Sequence, residues 1–186
     1  HDTGPGHPER PERVSAALER LEVSGLMADV ESVVPEAAPI EAIARLHPRE
    51  HLAELERVIA SGARSVNEPD MGISTSSWEA ALSSSGAALL AADRVVAGEW
   101  QNALCLVRPP GHHAEADRAM GFCFLNNAAL AAVHALESRE RDSPARAPAL
   151  LESQGHVLCL LGAPAACCQQ RSERPASSPP ILRRLW

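Results

Sequence analysis

Two adjacent histidines, His112 and His113, are the residues whose types and spacing best suit chemistry in this sequence. They lie in the run Arg-Pro-Pro-Gly-His-His-Ala at 108–114, in which two prolines stiffen the backbone and Gly111 permits an unusual bend. Neighbouring imidazoles on a rigid loop can divide acid–base work, because one can hold a proton for electrostatic help while the other shuttles a proton to and from water. The pair alone does not establish this role, because an isolated His-His pair more often belongs to a surface loop or fills a core.

A second run, Met-Gly-Phe-Cys-Phe-Leu-Asn-Asn at 120–127, follows six residues after the first. Gly121 lets a substrate approach the backbone closely, because it carries no side chain. Phe122 beside it can form an apolar wall for an alkyl chain. The two runs together predict an acid–base pair next to a surface that suits an extended apolar ligand.

The elements that must position these runs alternate between helices and short apolar segments. Apolar residues at helical spacing predict one helix that starts after Arg13 and ends near Gly25, and four more at Ile40–Leu46, Pro48–Ile59, Trp78–Ala97 and Asn127–Leu136. Short apolar runs predict two strands, at Val30–Val34 and, buried, at Ala103–Val107. The second strand is expected to deliver the loop at 108–127 that carries the histidines. This alternation predicts an α/β fold.

Composition restricts the classes of function. A length of 186 residues suits one domain or a piece of a larger one. Because the sequence begins with His1 and not with an initiator methionine, we expect it to come from the interior of a longer protein. A net charge of −7 argues against nucleic-acid binding. Five cysteines without metal-binding spacing indicate reduced thiols and a cytoplasmic setting. No apolar run approaches the roughly 20 residues that cross a bilayer, so no membrane partner is expected.

The stretch Arg108–Asn127 resembles the signature of the histone deacetylase and acetylpolyamine amidohydrolase superfamily, in its class II form. The similarity extends to segments at 1–13, 46–52 and 83–98 and so covers residues 1–138. It implies a three-layer α/β/α fold around a parallel sheet, shared with arginases. It also implies zinc-dependent hydrolysis of an N-acetyl amide, on an acetylated lysine protein or an acetylated polyamine.

The resemblance further implies roles for individual residues. His113 corresponds to the general base and acid that activates water, and His112 to the companion histidine that stabilises charge. Gly121 and Phe122 correspond to the narrow substrate channel. Asp70 corresponds either to the rim aspartate that holds the substrate backbone or to a solvated loop carboxylate, because loop lengths vary there.

Weaker signals come from two further residues and one pair. Cys123 is expected to pack beneath the channel rather than to act as a nucleophile. His7 corresponds either to a residue near the channel mouth or to a structural turn residue. His47 and His51, spaced by one helical turn, suit a metal pair. No third ligand is evident near them, so a structural use is favoured.

Residues 139–186 depart from the pattern, with seven arginines against four acidic residues and little periodicity. The Asp-x-Asp-x-His-His-Gly segment that supplies zinc ligands in the family has no counterpart there, and the chain contains no Tyr. We therefore expect this chain to bind no zinc, and we expect 139–186 to pack poorly against 1–138. A frame change and a genuine variant tail both explain such a segment.

Two functions from different classes stay open. One is an incomplete form of a zinc deacetylase, and the other is a catalytically inactive module that still binds acetylated ligands or a partner protein. An arginase-like ureohydrolase would share the implied fold, but it would need carboxylate-rich manganese motifs that this sequence does not contain.

Overall fold

The computed structural model describes residues 1–142, with side chains as far as Ser138. Within this range the chain forms five α-helices: α1 Glu12–Val23, α2 Ile40–Ile43, α3 Arg49–Ala60, α4 Ser77–Val96 and α5 Asn127–Asp142. A short 3-10 helix follows α1 at Leu26–Asp29. The five predicted helices are confirmed, although α2 is a single turn and α5 continues beyond the predicted end. Residues 143–186 lie outside the described part, so the prediction about their packing stays a prediction.

Helix α4 is the central element and is built from small residues that allow close packing. A Cβ added at Gly86 would lie 1.9 Å from the carbonyl oxygen of Glu36, so only glycine lets the preceding segment cross the helix there. The amide of Ala38 then donates a hydrogen bond to the carbonyl of Leu82 at 2.9 Å. The sequence Ser-Ser-Ser-Gly-Ala-Ala in α4 thus permits backbone-to-backbone contact with its neighbour.

Helices α4 and α5 pack side by side and run in the same direction. The hydroxyl of Ser85 donates to Asn127 Oδ1 at 2.8 Å where α5 begins, and His134 Nε2 lies 2.7 Å from Asp93 Oδ1 about two turns later. The segment between the helices must therefore return along α4 before α5 starts. Along this path Cys105 Sγ donates to the carbonyl of Ala87 at 3.6 Å.

The two predicted strands are wrong for the part of the chain that the structure describes. Ala103–Val107 and Val30–Val34 pair with no strand within residues 1–142, where the β contacts outside helices are two isolated bridges. Leu104 is 47% exposed rather than buried, and Val34 is 94% exposed. A strand is completed by hydrogen bonds to a neighbour, and an apolar run alone cannot supply that neighbour. The parallel sheet of the predicted three-layer fold stays a prediction.

The apolar core lies between α3, α4, α5 and the loops that carry the candidate site. Its most buried members come from helices and loops alike: Ile43, Ile59, Met71, Phe124, Leu125 and Leu130. Helix α1 contributes no buried residue, so the apolar face predicted for it does not enter this core. Within the described residues, no helix is both long enough and apolar enough to traverse a bilayer.

Candidate active site

The histidine pair lies where the sequence predicts, in the loop between the extended segment 103–107 and α5. The ring centroids of His112 and His113 are 4.2 Å apart, with their planes tilted by 46°. His113 is exposed and His112 is half-buried. A Cβ on Gly111 would lie 2.4 Å from the backbone nitrogen of Asn127, so this glycine allows the turn to sit directly against the start of α5.

Gly121 brings the second run against the histidine pair. Its φ of +57° suits glycine, and a Cβ there would lie 2.8 Å from the His113 ring. The ring therefore rests on the backbone where any other residue would displace it. The structure thus brings together the two histidines and Gly121 as predicted from their sequence runs, while their chemical roles stay predictions.

Phe122 continues the wall beside Gly121. Its φ of +67° is unusual for a bulky residue, and the backbone is held there because its amide donates to Met71 Sδ at 3.0 Å. Its ring meets the ring of His7 edge to face, with centroids 4.7 Å apart. His7 therefore lies next to the predicted channel wall, while its role at the channel mouth stays a prediction.

The surroundings of His112 favour a neutral imidazole. Burial lowers its pKa, and the charges of His113 and Arg13 lower that pKa further. Both ring nitrogens are buried, and neither has a hydrogen-bond partner among the described residues. Buried polar groups in proteins are normally hydrogen-bonded. His112 is therefore the member of the pair whose ring nitrogens still need hydrogen-bond partners beyond those in residues 1–138.

Cys123 lies under the histidine pair. Its thiol donates to the carbonyl of Gly121 at 3.3 Å and accepts a hydrogen bond from the amide of His113 at 3.5 Å. Burial raises the pKa of Cys123 to about 11, so the thiolate is scarce at neutral pH. These features agree with a packing role and with the absence of nucleophilic character expected from the sequence.

Asp70 lies at the outer edge of the site, in the loop before α4. Its carbonyl oxygen accepts a hydrogen bond from His7 Nε2 at 2.8 Å, and the residue is exposed. A second hydrogen bond holds this loop, in which the side-chain amide of Asn67 donates to the carbonyl of Ala119 at 2.9 Å. Asp70 therefore lies near Phe122, and its carboxylate takes part in neither of these two contacts. Both interpretations of its role stay open.

His47 has a structural role that the sequence only allowed. It is fully buried, and its Nδ1 donates to the carbonyl of Ala116 at 2.7 Å while its Nε2 accepts from the amide of Asn126 at 3.0 Å. Because both nitrogens are engaged with the backbone, His47 and His51 do not form a metal pair here. Burial lowers the pKa of His47, in agreement with a neutral ring that braces both ends of the 116–126 segment.

A buried ion pair between Glu9 and Arg108 was missed by sequence reasoning. Arg108 Nε donates to Glu9 Oε1 at 2.6 Å and its Nη2 donates to Oε2 at 2.7 Å, with the Glu9 side chain 1% exposed. Each residue lies in a run that resembles the family, but nothing in the spacing shows that residues 99 apart meet. The available signal was Arg108, a charged residue that begins the turn at 108–114.

The described residues do not fit a zinc site. A catalytic zinc is held by three protein ligands with one open position. Within residues 1–138 no group of three histidine, cysteine or carboxylate side chains lies close enough together to hold a metal ion.

Comparison with known proteins places this geometry in a family. The model of the histone deacetylase domain matches residues 7–143. A histone deacetylase-like amidohydrolase of Pseudomonas aeruginosa is 41% identical over 126 residues, which cover 68% of this chain and 33% of that protein. The human polyamine deacetylase HDAC10 is 37% identical over 132 residues, covering 68% and 20% of the two chains.

A solved structure agrees with the sequence matches. The crystal structure of the HDA15 HD domain superposes with a TM-score of 0.67 at 32% identity, over 71% of this chain and 37% of that one. The chain spans about a third of the length of the bacterial relative. Since the family model covers most of the chain, and the matched range includes the histidine pair, Gly121 and Phe122, this chain belongs to the histone deacetylase family.

Proposed function

We propose that residues 1–138 form the histidine-pair half of a zinc-dependent deacetylase site, and that the 186-residue chain is an incomplete form without turnover. The observation that carries the proposal is the contact between His113, Gly121 and the adjoining His112, with Phe122 as a wall beside them. Relatives named as a histone deacetylase-like amidohydrolase and a polyamine deacetylase support hydrolysis of an acetyl amide as the family activity.

Within this site His113 is the residue suited to move a proton. It is the more exposed of the pair, and Gly121 leaves one side of its ring in contact with backbone alone. His112 beneath it is suited to stabilise charge once a hydrogen-bond partner for its buried nitrogens is supplied. The substrate's alkyl chain would pass along Phe122, and the acetyl amide would reach His113.

Two features explain why this chain should not turn over. Water that is not bound to a metal is a very weak acid, so proton transfer from it to His113 is strongly unfavourable. The chain contains no Tyr, which removes a candidate donor to the developing oxyanion, and losing one such donor costs about 3–4 kcal/mol in comparable sites. The proposed substrates are an acetylated lysine protein or an acetylated polyamine.

A binding module without catalysis is the second candidate. Its support is that the wall at Phe122 and the adjacent His7 are fully formed within the described residues, so an acetylated ligand has a surface to contact. The cytoplasm is the proposed location for either function, in agreement with the two described cysteines being free thiols.

The test is to purify the 186-residue chain, measure its metal content, and assay an acetyl-lysine peptide and an acetylated polyamine with zinc added. We expect no stoichiometric zinc and no turnover. Turnover that a hydroxamate inhibits would contradict the proposal. Joining residues 1–138 to the continuation of a complete family domain should restore zinc and turnover, and His113→Ala in that protein should abolish turnover while zinc stays bound.

The same preparation separates the two candidates. Titration of the purified chain with acetylated and unacetylated forms of one peptide should show selective binding only if the module is functional. Phe122→Ala should then weaken binding of the acetylated peptide, with Leu136→Ala on an exposed part of α5 as the matched control. Equal affinity for both peptides would contradict the binding module.

A further inference from the structure

A buried cluster of charges joins the first loop to the histidine-bearing loop. We name it the Glu9 cluster, and it consists of Glu9, Arg108, His1 and Arg13. Arg108 donates two hydrogen bonds to the Glu9 carboxylate, at 2.6 and 2.7 Å, in the bidentate geometry that fixes orientation as well as distance. His1 Nε2 and Arg13 Nη1 each lie 3.4 Å from the same carboxylate.

The cluster also fixes the backbone of the first loop. Arg108 Nη1 donates to the carbonyl of His1 at 3.1 Å, and the hydroxyl of Thr3 donates to the carbonyl of Glu9 at 2.5 Å. The amide of Glu9 lies 3.0 Å from His7 Nδ1 and donates to it. Glu9 therefore holds Arg108 through its side chain and His7 through its backbone.

These two anchors lead to opposite sides of the candidate active site. His7 meets the Phe122 ring at 4.7 Å, whereas Arg108 begins the turn that ends in His112 and His113. The charge of Glu9 also acts on Cys123 beneath the pair, where it helps to raise the thiol pKa. Glu9 thus connects His7, beside the predicted channel wall, to the turn that carries His112 and His113.

We propose that Glu9 is a positioning residue, which sets the placement of His7 and Phe122 relative to the His112–His113 pair and thereby the width of the channel. A buried ion pair is a weak source of net stability, because the cost of removing both charges from water offsets much of their attraction. Orientation is the property that the bidentate contact supplies best. The identity of the ligand that would enter the channel rests on the proposed function. The positioning by Glu9 does not, because it is a property of residues 1–138.

The test uses Glu9→Gln in the 186-residue chain, which keeps the size of the side chain and removes its charge. Imidazole proton–carbon NMR spectra, assigned with single histidine substitutions, report on each ring. We expect the signals of His112 and His113 to move, because the charged bidentate contact with Arg108 is lost, whereas His7 keeps its hydrogen bond from the backbone amide of residue 9. The assay needs no turnover, so failure of the deacetylase proposal would not alter its outcome.

The matched control is Glu137→Gln, which breaks the half-exposed Arg45–Glu137 ion pair near His134. It should move the His134 signal and leave the three site histidines in place. Should Glu9→Gln fail to fold, Arg108→Lys is the second variant, since lysine keeps the charge and loses the bidentate contact. The proposal would be overturned if the NMR signals of His112 and His113 do not move, or if they move equally in the control. Loss of folding in both variants would overturn it as well.

Discussion

At the scale of single residues, the histidines of this chain divide according to what surrounds them. Burial lowers the pKa of His47 and of His112. Both nitrogens of His47 are hydrogen-bonded to backbone, those of His112 have no partner among the described residues, and His113 is exposed beside Gly121. Identical side chains thus serve as a brace, a charge-stabilising candidate and a proton-carrying candidate. The difference is set by burial and by which backbone groups lie within hydrogen-bond reach.

The brace at His47 predicts a pH dependence of stability. Its folded-state pKa lies below the unfolded value of about 6.5, so the unfolded chain binds more protons as the pH falls. The contribution of His47 is therefore complete above that value and is lost as the pH falls through the folded pKa. We expect urea unfolding of the wild-type chain to show a free energy that decreases from pH 7.5 to pH 5.

Replacing His47 by alanine should cost about 2–4 kcal/mol at pH 7.5, because two buried backbone groups lose their partner and a cavity remains. The same variant should show a shallower loss of stability on acidification. Leu55→Ala, at a buried position of α3, is the matched control, since it destabilises the core without removing a titrating group. Equal pH slopes in His47→Ala and Leu55→Ala would show that His47 is not the titrating group.

At the scale of elements, α4 is the surface on which the described part of the chain is assembled. The 36–38 segment crosses it at Gly86, α5 lies along it, and the 103–107 segment returns beside it. Small residues make this possible, because each close approach is made to backbone or to a short side chain. The helix was predictable from its periodicity, whereas its role as a packing platform depends on neighbours distant in sequence.

Gly86→Ala tests that role directly. In an isolated helix alanine is favoured over glycine by about 1 kcal/mol, so propensity alone predicts stabilisation. The added Cβ would lie 1.9 Å from the Glu36 carbonyl, which is backbone and cannot rotate away. We expect a net loss of about 1–3 kcal/mol, measured by thermal unfolding followed by circular dichroism.

The control for this experiment is Ser83→Ala, at an exposed position of the same helix. It should leave the midpoint unchanged or raise it slightly, because only helix propensity changes there. A Gly86→Ala protein as stable as this control would mean that the segment at 36–38 does not rest on α4 in solution.

At the scale of the whole molecule, the described residues form one large core and a small alanine cluster, and the candidate site lies on loops next to the large core. Phe124 and Leu125 belong to the large core, and only Cys123 separates them in the chain from the predicted channel residues Gly121 and Phe122. The site is therefore anchored by the same residues that stabilise the fold. An extended segment at 103–107 with a half-exposed Leu104 lies next to this core and pairs with no strand within residues 1–142.

Removing residues 143–186 tests the boundary predicted from composition. Because the arginine- and proline-rich tail lacks periodicity, we expect a chain that ends at Asp142 to unfold at nearly the same temperature as the full chain. Helix α5 runs to Asp142, so a cut at that residue leaves all described helices intact. A fall in the midpoint of more than about 4 °C, which for a chain of this size corresponds to more than 1 kcal/mol, would contradict the prediction.

The sequence by itself determined the family, the helices and the two runs whose residues lie together in the candidate site. Local periodicity is enough for α3, α4 and α5, and the runs at 108–114 and 120–127 each contain the residues that the structure brings together. Such features depend on neighbours within a few positions. For that reason they could be predicted before any contact was known.

Only the tertiary structure showed both nitrogens of His47 bonded to backbone, and only it paired Glu9 with Arg108. These contacts join loops far apart in the chain, and side-chain type alone does not specify them. Within residues 1–142 the predicted strand at Ala103–Val107 is wrong for the same reason. An apolar run shows that a segment can be buried in a sheet, but the hydrogen bonds that make it a strand come from a partner segment elsewhere.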